Sequence, residues 1–393
     1  MRPLEGRRIW FVGIGGAGLS AYAFIARAWG AEVGGWDRVR TPYLESLSDV
    51  PVEIGPEPSA PEGWEVVVST AYRDRVPGRS RAEFLAELVS LRRSIVVAGA
   101  HGKTTTAAMI AFCLDRLGLD PAFAIGGELP QLGGNARAGG GWFVVEGDES
   151  DRTIAALRPE IAVVTNVDLD HHSEFASRAE VEALFDRWLA EVPNVVRGDE
   201  LEPAGVPLAV PGEHNRRNAA AALAALELAG VPGVEAAPVL SKFRGAGRRL
   251  ERVGVVRGVS VYDDYAHNPA KIAAALAAAR ELTDGRLLAL FQPHLYTRTR
   301  HTVHELARSL ATADAVAVTE IYRARETPLE GVSGKLVIEA LATARPGMEL
   351  GWTPTLEDGA RFLVRRARPG DLALTIGAGD VDRAARFVLE ELA

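Results

Sequence analysis

The sequence predicts an α/β protein of repeated strand–loop–helix units, and two glycine-rich stretches give this prediction its main support. The first lies between an apolar run at residues 9–12 and a helical pattern that ends at Trp29. The second lies between an apolar run at residues 94–98 and a helical pattern that ends near Leu117. Each run is long enough for one buried strand, so each glycine stretch turns a strand into a helix. Such alternation is typical of parallel sheets.

Composition and charge narrow the class of protein. The chain has 393 residues, 47% of them hydrophobic, which is enough for two or three globular domains. Its net charge is −8 and it contains no basic block, which argues against a nucleic-acid partner. The single cysteine, Cys113, excludes disulfides and cysteine metal sites and favours a reducing compartment. Because no signal peptide and no membrane-length apolar run are visible, we expect a cytoplasmic protein without a membrane partner.

The second glycine stretch has the character of a phosphate-binding loop. Gly99 and Gly102 follow the strand, and Lys103 and Thr104 open the helix. Backbone N–H groups and the positive helix end would converge there on phosphate, with the lysine near the terminal phosphates and the threonine on magnesium. The spacing departs from the full Walker A motif, which has a glycine where Val97 stands. The alternative is a helix capped by threonine after a glycine turn.

The first glycine stretch, residues 13–18, matches the G-x-G-x-x-G pattern, and Asp37 follows at the end of the next predicted strand. This pattern is the dinucleotide fingerprint, yet its loop fits any diphosphate. Nothing downstream is typical of a dehydrogenase. The stretch therefore predicts a diphosphate site, with nicotinamide binding and a purely structural turn as the alternatives.

Two acidic clusters follow predicted strands of the middle region. Residues 146–151 come after a strand at 142–145, and residues 166–172 come after a strand at 161–165. Because ligands of open α/β sheets bind at the carboxyl ends of strands, both clusters should face the same crevice as Lys103. Their oxygen ligands, with one imidazole, suit magnesium near phosphates. The alternatives are a solvated loop carboxylate for Glu146 and a polar turn residue for His171.

Further polar loops complete the pattern. Asn215 and Asn218 lie three residues apart before a helix predicted at residues 219–229, where they would either read a purine edge or cap the helix. A third unit begins near Gly245, and its predicted strands deliver more polar loops. These strands are residues 259–262, 287–291, 315–319 and 372–375. Six of the eight histidines fall in such loops, namely His101, His171, His172, His214, His267 and His294.

These motifs together resemble those of the Mur ligase family, and the similarity runs nearly end to end. The most selective are Asp-Asp-Tyr-Ala-His at 263–267 and Phe-Gln-Pro-His-Leu-Tyr-Thr-Arg-Thr at 291–299, the second of which favours the alanine-adding member. The resemblance implies an α/β protein of three domains. They are a Rossmann-like domain for the UDP substrate at 1–93, a central ATPase-like domain with a phosphate loop at 94–244, and a C-terminal Rossmann-like amino-acid domain at 245–393.

The resemblance also implies a reaction. ATP phosphorylates the carboxylate of UDP-N-acetylmuramate, and the amine of L-alanine then attacks the acyl phosphate to give an amide. The implied cofactors are ATP and Mg²⁺, and the implied setting is peptidoglycan precursor synthesis. Phosphoryl transfer needs positioning and charge neutralisation more than covalent help, which suits these residue types.

The site residues implied by the resemblance fall into four groups. Catalytic roles go to Lys103, Glu146, His171, Arg249, His267, His294 and Arg298. ATP would be bound by Gly99, Ala100, His101, Gly102, Lys103, Thr104, Thr105, His214, Asn215, Asn218, Arg249 and Asp264. The UDP substrate would be bound by Gly13, Ile14, Gly15, Gly16, Ala17, Gly18, Asp37, Ser69, Gly126, Gly127 and Asn135. Magnesium would be bound by Thr104, Glu146 and His171.

The chain departs from the family pattern at several points. Residues 193–210 form a shorter stretch than the family's central domain usually has, so several strands are expected to be missing. Leu295 stands where an arginine is common, Asn268 where a second histidine is common, and Trp36 where a small polar residue precedes the acid. Three other functions therefore stay open. They are a ligase for a preformed peptide, a nicotinamide oxidoreductase and a non-catalytic nucleotide-sugar-binding protein.

Overall fold

The apolar runs of the sequence form central strands of three sheets in the computed structural model, which describes residues 2–149, 152–168, 174–324 and 326–393. The chain divides into two units. The first comprises Met1–Leu208 and Arg216–Arg244, and the second comprises Ala209–Asn215 and Gly245–Ala393. Helices connect strands that pair mainly in parallel, so the predicted α/β class is confirmed.

The first sheet of the first unit is parallel. Its strands are β1 (Arg8–Val12), β2 (Glu32–Asp37), β3 (Val52–Ile54), β4 (Glu65–Val68) and β5 (Arg79–Ser80). Its helices are α1 (Ala17–Ala28) and α2 (Arg81–Ser90), with 3₁₀ turns at Pro42–Leu47 and Thr70–Tyr72. The order β3-β2-β1-β4-β5 places β1 in the middle. The glycine stretch that follows β1 therefore lies at the centre of the carboxyl edge.

The second sheet of this unit has β6 near its middle. Its strands are β6 (Ser94–Ala98), β7 (Ala122–Ala124), β8 (Ala136–Arg137), β9 (Phe143–Glu146), β10 (Ile161–Val164) and β11 (Asn194–Arg197). The helices are α3 (Lys103–Arg116), α4 (Arg178–Leu189), α5 (Glu213–Leu228) and α6 (Gly233–Leu240), with 3₁₀ turns at Thr153–Ala156 and Gly198–Glu200. The first three residues of α5 belong to the second unit. The order is β11-β10-β6-β9-β7-β8, with β7 and β8 antiparallel. Every residue of β6 is buried, as expected of a central parallel strand.

One hydrophobic core joins the two sheets of the first unit. It contains Phe11 and Ile25 from the first sheet and its helix, and Val96 and Val164 from the second sheet. The ring of Trp29, at the end of α1, meets the ring of Phe143 edge-on at 5.6 Å between centroids. The two glycine-rich loops are therefore held on one packed body.

The second unit contains the third sheet. Its strands are β12 (Glu251–Val256), β13 (Val259–Asp264), β14 (Leu287–Phe291), β15 (Ala315–Val318), β16 (Glu349–Trp352) and β17 (Leu372–Ile376). Its helices are α7 (Pro269–Arg280), α8 (Tyr296–Leu310), α9 (Gly334–Ala344), α10 (Leu356–Val364) and α11 (Asp382–Leu392). The order is β12-β13-β17-β14-β15-β16, and β12 pairs antiparallel with β13.

Two separate cores cover the faces of the third sheet. Helices α7, α8 and α9 contribute to one core, and α10 and α11 contribute to the other. The neighbouring strands β14 and β17 are thus followed by helices on opposite faces, which opens a crevice at their carboxyl ends. The loops after these two strands are therefore the natural ligand-binding loops of this unit.

The boundaries of most predicted elements are correct to within about one residue, with one clear exception. Helix α5 begins at Glu213, well before the predicted start at residue 219. Gly212, at a φ of +98°, makes the turn that lets the helix start early. Within the described residues, none of the helices combines the length and the apolarity that crossing a bilayer would need.

Candidate nucleotide and acceptor sites

The phosphate-type loop between β6 and α3 depends on two glycines with positive φ. Gly99 has a φ of +128°, and a Cβ added there would lie 2.3 Å from Thr165 Oγ1. Gly102 has a φ of +83°, and a Cβ there would lie 2.2 Å from Asn218 Oδ1. Both positions therefore require glycine for backbone conformation and for space. The close approach also places the Asn218 amide directly against the loop.

The end of β10 holds this loop in place. The His101 N–H donates to Asn166 Oδ1 at 3.0 Å, and the His101 carbonyl accepts from Asn166 Nδ2 at 2.9 Å. Thr165 Oγ1 donates to the same carbonyl at 2.5 Å. The loop residue Ala100 and the α3 residue Thr105 are buried. Thr165 and Asn166, which directly follow the strand next to β6, thus fix the loop.

Lys103 lies beside the first acidic cluster. Its Nζ donates to the Gly99 carbonyl at 2.6 Å and to the two carboxylate oxygens of Glu149 at 2.9 and 3.0 Å. Burial alone lowers the pKa of Lys103, but the charges of Glu149 and Asp148 outweigh it and hold the pKa above its ordinary value. The lysine therefore stays charged, as a phosphate-binding group must.

Thr104 and Glu146 are the two proposed magnesium ligands that the structure describes. Thr104 Oγ1 donates to Glu146 Oε2 at 3.1 Å, and the Gly126 N–H donates to Glu146 Oε1 at 2.6 Å. Magnesium binds proteins through one or two oxygens and keeps waters and phosphates as its other ligands, so this pair fits the ion. The third proposed ligand, His171, lies outside the described residues. Across the described ranges, no cluster of three or more His, Cys, Asp or Glu side chains has the arrangement of a metal site.

The residues proposed to read the adenine lie on α5. His214, Asn215 and Asn218 are the second, third and sixth residues of this helix. Asn215 Nδ2 donates to the Pro211 carbonyl at 2.6 Å. Because the helix already begins at Glu213, the alternative that these asparagines cap it is wrong.

The first glycine loop is braced by Asp37. The Gly13 N–H donates to the Trp36 carbonyl at 2.8 Å, and the Gly15 N–H donates to Asp37 Oδ2 at 2.7 Å. A Cβ at Gly15 would lie 2.9 Å from that carboxylate oxygen. Asp37 is buried, and in this structure its carboxylate holds the loop by accepting the Gly15 N–H.

Two other residues proposed for the UDP substrate, Ser69 and Asn135, lie beside this loop or the start of α1. A Cβ at Gly13 would lie 2.5 Å from Ser69 Oγ. Asn135 Nδ2 donates to the Ala17 carbonyl at 3.5 Å, which brings the β7–β8 hairpin to the start of α1. Gly126 and Gly127 form a bend after β7, and Gly126 lies beside Glu146 rather than at this loop. The remaining proposed residues are part of the loop or of the first turn of α1, namely Ile14, Gly16, Ala17 and Gly18.

In the second unit, Arg249 and Asp264 lie at the start and the end of the β12–β13 hairpin. The Arg249 guanidinium carbon is 5.1 Å from the centre of the Tyr265 ring. Asp264 accepts from the Leu250 N–H at 2.7 Å and from the Ala266 N–H at 2.8 Å. Burial raises the pKa of Asp264, against the opposing charge of Arg249.

The three residues proposed for the amino-acid pocket lie together in the second unit. The His267 and His294 rings are 5.9 Å apart, and Arg298 Nη1 is 3.2 Å from His294 Nδ1. The Tyr322 ring stacks on His294 at 5.8 Å. Burial and the charge of Arg298 lower the pKa of His294 to about 4. Arg298 therefore supplies the positive charge near neutral pH, while His294 is neutral.

Two residues close to these sites were not singled out from the sequence. The sequence shows Glu149 only as a member of the first acidic cluster, and residue spacing does not predict its position opposite Lys103. Tyr322 follows β15, and a strand end was the only available signal for it. A cleft of about 520 Å³ in the second unit is lined by residues that include Tyr322, Gln292 and Asp380.

The family of the chain follows from comparison with known proteins. The model of the Mur ligase middle domain matches residues 97–195, and that of the Mur ligase glutamate ligase domain matches residues 248–379. The chain belongs to the Mur ligase family, and it is a ligase. Ligases of this family depend on ATP and in general use Mg²⁺.

Within the family, the chain is similar over nearly its whole length to UDP-N-acetylmuramate–L-alanine ligases. It is 39% identical to that of Renibacterium salmoninarum over 453 residues, covering 98% of this chain and 96% of the relative. It is 38% identical to that of Streptomyces coelicolor, covering 99% and 98%. The first alignment is longer than the 393 residues of this chain, so the relative carries residues without a counterpart here.

Two solved structures extend the similarity to three dimensions. The UDP-N-acetylmuramate–alanine ligase of Thermotoga maritima has a TM-score of 0.81 and 26% identity, covering 98% of each chain. A murein peptide ligase of Psychrobacter arcticus has a TM-score of 0.65 and 25% identity, covering 98% of this chain and 99% of the other. The expected Mur ligase architecture is thereby confirmed.

Proposed function

We propose that this chain joins the amine of L-alanine to the carboxylate of UDP-N-acetylmuramate at the expense of ATP, in cytoplasmic peptidoglycan precursor synthesis. The observation that carries the proposal is the geometry at the Lys103 loop, where Lys103 contacts the carboxylate of Glu149 and Thr104 contacts that of Glu146. This loop belongs to a chain that is similar to such ligases over nearly its whole length. The chain has the charge that phosphoryl transfer needs at the place where the fold puts phosphates.

Residues of the two glycine-rich loops, of the acidic clusters and of α5 would bind and orient the two nucleotides. Lys103 and the loop N–H groups hold the terminal phosphates of ATP, and the amides of Asn215 and Asn218 bind the adenine. Thr104 and Glu146, with His171, hold Mg²⁺, which when bound neutralises phosphate charge. The first glycine loop holds the diphosphate of the nucleotide sugar. The substrate carboxylate oxygen then attacks the γ-phosphorus, giving an acyl phosphate and ADP.

The residues of the second unit would serve the nucleotide and the acceptor. Arg249 binds phosphate oxygens and Asp264 the ribose. Arg298 binds the alanine carboxylate, because a guanidinium matches a carboxylate in charge and shape. His267 and His294 line the same pocket. The alanine nitrogen attacks the acyl carbon of the acyl phosphate. The C–N bond forms, the nitrogen loses a proton, and the bond to inorganic phosphate breaks. The proposed domains are residues 1–93, 94–244 and 245–393, one for each substrate.

An assay of phosphate release tests the proposal. Wild type should release phosphate only when ATP, UDP-N-acetylmuramate and L-alanine are all present. Lys103→Ala should lower kcat/KM at least about 100-fold, since a charge that stabilises the transferred phosphoryl group is worth about 3 kcal/mol. Lys242→Ala, at an exposed lysine, should have no effect.

Varying the substrates in this assay, together with absorbance and binding measurements, distinguishes the competing functions. Turnover with a tripeptide in place of L-alanine would favour a ligase for preformed peptides. An absorbance change with NADH would favour an oxidoreductase. Binding of UDP-N-acetylmuramate without any ATP turnover would favour a nucleotide-sugar-binding protein. Near-normal turnover by Lys103→Ala would mean that the loop is wrongly assigned.

A further inference from the structure

Arg81 occupies a rigid position at the start of α2. It is the first residue of this helix, and Ser80 before it forms a capping box with Glu83. Ser80 Oγ accepts from the Glu83 N–H at 3.2 Å, and the Glu83 carboxylate accepts from the Ser80 N–H at 2.7 Å. The backbone that carries the arginine is therefore fixed by two hydrogen bonds that do not involve its side chain.

The guanidinium of Arg81 reaches the first glycine loop. A Cβ added at Gly18 would lie 3.1 Å from Arg81 Nη1. Gly18 is the second residue of α1, whose first turn contains no acidic residue and whose N-cap, Gly16, has no side chain. A positive helix end and a guanidinium thus occupy the same place, where each would repel a cation and attract an anion.

On its other side, Arg81 contacts the first acidic cluster. Its Nη2 is 3.7 Å from Asp148 Oδ2, and the two side chains are 23% and 41% exposed. An ion pair with this separation and exposure is weak, because solvent screens the two charges. This ion pair therefore offers little resistance to an anion of higher charge that approaches Arg81.

We propose that Arg81 binds the diphosphate of the nucleotide-sugar substrate and completes the first glycine-loop site. The inference rests on the proposed function, since it names a further binding residue of that site. Loop N–H groups carry partial charges only, whereas a diphosphate carries at least two full negative charges. A guanidinium supplies a full charge and paired donors that match phosphate oxygens. The ATP loop has its own cation in Lys103, so Arg81 is assigned to the other nucleotide.

The test measures binding of UDP to the full chain by isothermal titration calorimetry, which requires no turnover. Arg81→Met should weaken UDP binding at least about 10-fold, and Arg81→Lys should recover part of the loss because a charge remains. Binding of ADP with Mg²⁺ should change less than about twofold in both variants. Arg27→Met, at the far end of α1 in an exposed ion pair with Asp49, should leave UDP binding unchanged.

A second variant should change the affinity for UDP in the opposite direction. Asp148→Asn removes a carboxylate that competes for Arg81, so UDP should bind about two- to threefold more tightly, and this gain should vanish in the Arg81→Met background. Equal UDP affinity of wild type and Arg81→Met would overturn the inference alone. Parallel loss of UDP and ADP binding in Arg81→Met and Arg81→Lys would overturn it in favour of a structural role. A wild type that binds no UDP would overturn the proposed nucleotide-sugar function as well.

Discussion

Lys103 and Glu149 form an ion pair that is largely shielded from water. Their side chains are 19% and 3% exposed, and both carboxylate oxygens accept from the lysine. Charges removed from water gain stability only when they are well paired. Glu149 therefore compensates the lysine in this arrangement, and it competes with phosphate oxygens for the same ammonium group.

This competition predicts the effect of Glu149→Gln. The variant should lose about 2–3 kcal/mol of the free energy of unfolding, because a buried lysine keeps its charge but loses the charged carboxylate that accepts its hydrogen bonds. Added ATP with Mg²⁺ should raise its melting temperature more than it raises that of wild type, since phosphate supplies the missing negative charge. Differential scanning calorimetry with and without nucleotide measures both effects.

Glu160→Gln is the matched control. Glu160 pairs with Arg93 through two short hydrogen bonds, but the two side chains are 35% and 62% exposed. Neutralising it should change the free energy of unfolding by less than about 1 kcal/mol and leave the nucleotide effect unchanged. If Glu149→Gln behaved like this control, the charge of Glu149 would not be needed to stabilise the buried lysine.

The depressed pKa of His294 gives a second prediction for a single residue. Burial and Arg298 lower it to about 4 from an ordinary value of 6.5. The neutral ring is thus favoured on folding, so its contribution to stability is present above pH 6.5 and is lost as the pH falls from 6.5 towards 4. Since the ring is partly exposed, the loss at pH 5 should be about 1 kcal/mol.

NMR titration of histidine ring protons checks this directly. Arg298→Met should raise the pKa of His294, because a nearby positive charge is removed, yet leave it below 6.5, because burial remains. Arg308→Met removes an exposed arginine from the same helix, α8, and should not move it. A pKa near 6.5 in wild type would show that the ring is not shielded as the structure indicates.

At the scale of elements, the turn from β6 into α3 depends on Gly102. Both its φ of +83° and the nearby Asn218 amide disfavour a side chain there. Gly118, after α3, has a similar φ of +74°, but no atom lies within 4 Å of an added Cβ. The two glycines therefore separate the cost of backbone conformation from the cost of a steric clash.

Gly118→Ala should destabilise the protein by about 1 kcal/mol, the cost of a left-handed alanine. Gly102→Ala should cost at least about 2 kcal/mol more, because a methyl group cannot fit 2.2 Å from Asn218 Oδ1 without displacing the loop or α5. Urea denaturation measures both. Asn218→Ala should recover part of the extra loss, and equal costs at the two glycines would contradict the close approach.

The sequence predicts the buried central strands better than the edge strands and the turns. The predicted bounds of β6 and β14 are exact because all five residues of each strand are buried and all but Ser94 are apolar. The edge strand β12 was missed, since it alternates irregularly and its register shifts between Arg252 and Gly254. Leu295, at a φ of +70° before α8, has a conformation that no propensity for leucine indicates. Edges and strained turns depend on tertiary contacts that spacing does not contain.

At the scale of the whole molecule, the ends of the predicted strands show where the polar loops lie. They do not show which side chains from different loops contact each other. Sheet topology explains why Thr165 could be expected near the Lys103 loop, since β10 and β6 are neighbours. The choice of Glu149 as the lysine's partner depends on the path of a loop after β9. The approach of Asn218 to Gly102 depends on how α5 packs, which no periodicity specifies.

The second unit has the features of an independently folding domain. Residues 245–393 contain the entire third sheet, and two buried cores cover its faces. Arg298, whose charge lowers the pKa of His294, also lies in this segment. A complete sheet with both faces covered buries enough apolar surface for stability without the rest of the chain.

We therefore expect a fragment of residues 245–393 to fold by itself, with a free energy of unfolding of about 5–10 kcal/mol. Its single tryptophan, Trp352, provides a fluorescence probe, and circular dichroism reports the helices. The two signals should change together in urea, because a single cooperative domain unfolds in one step. His294 should keep its low pKa in the fragment, while phosphate release should be absent, since Lys103 is missing. Separate transitions for the two probes, or a gradual loss of signal, would mean that the segment needs the first unit to fold.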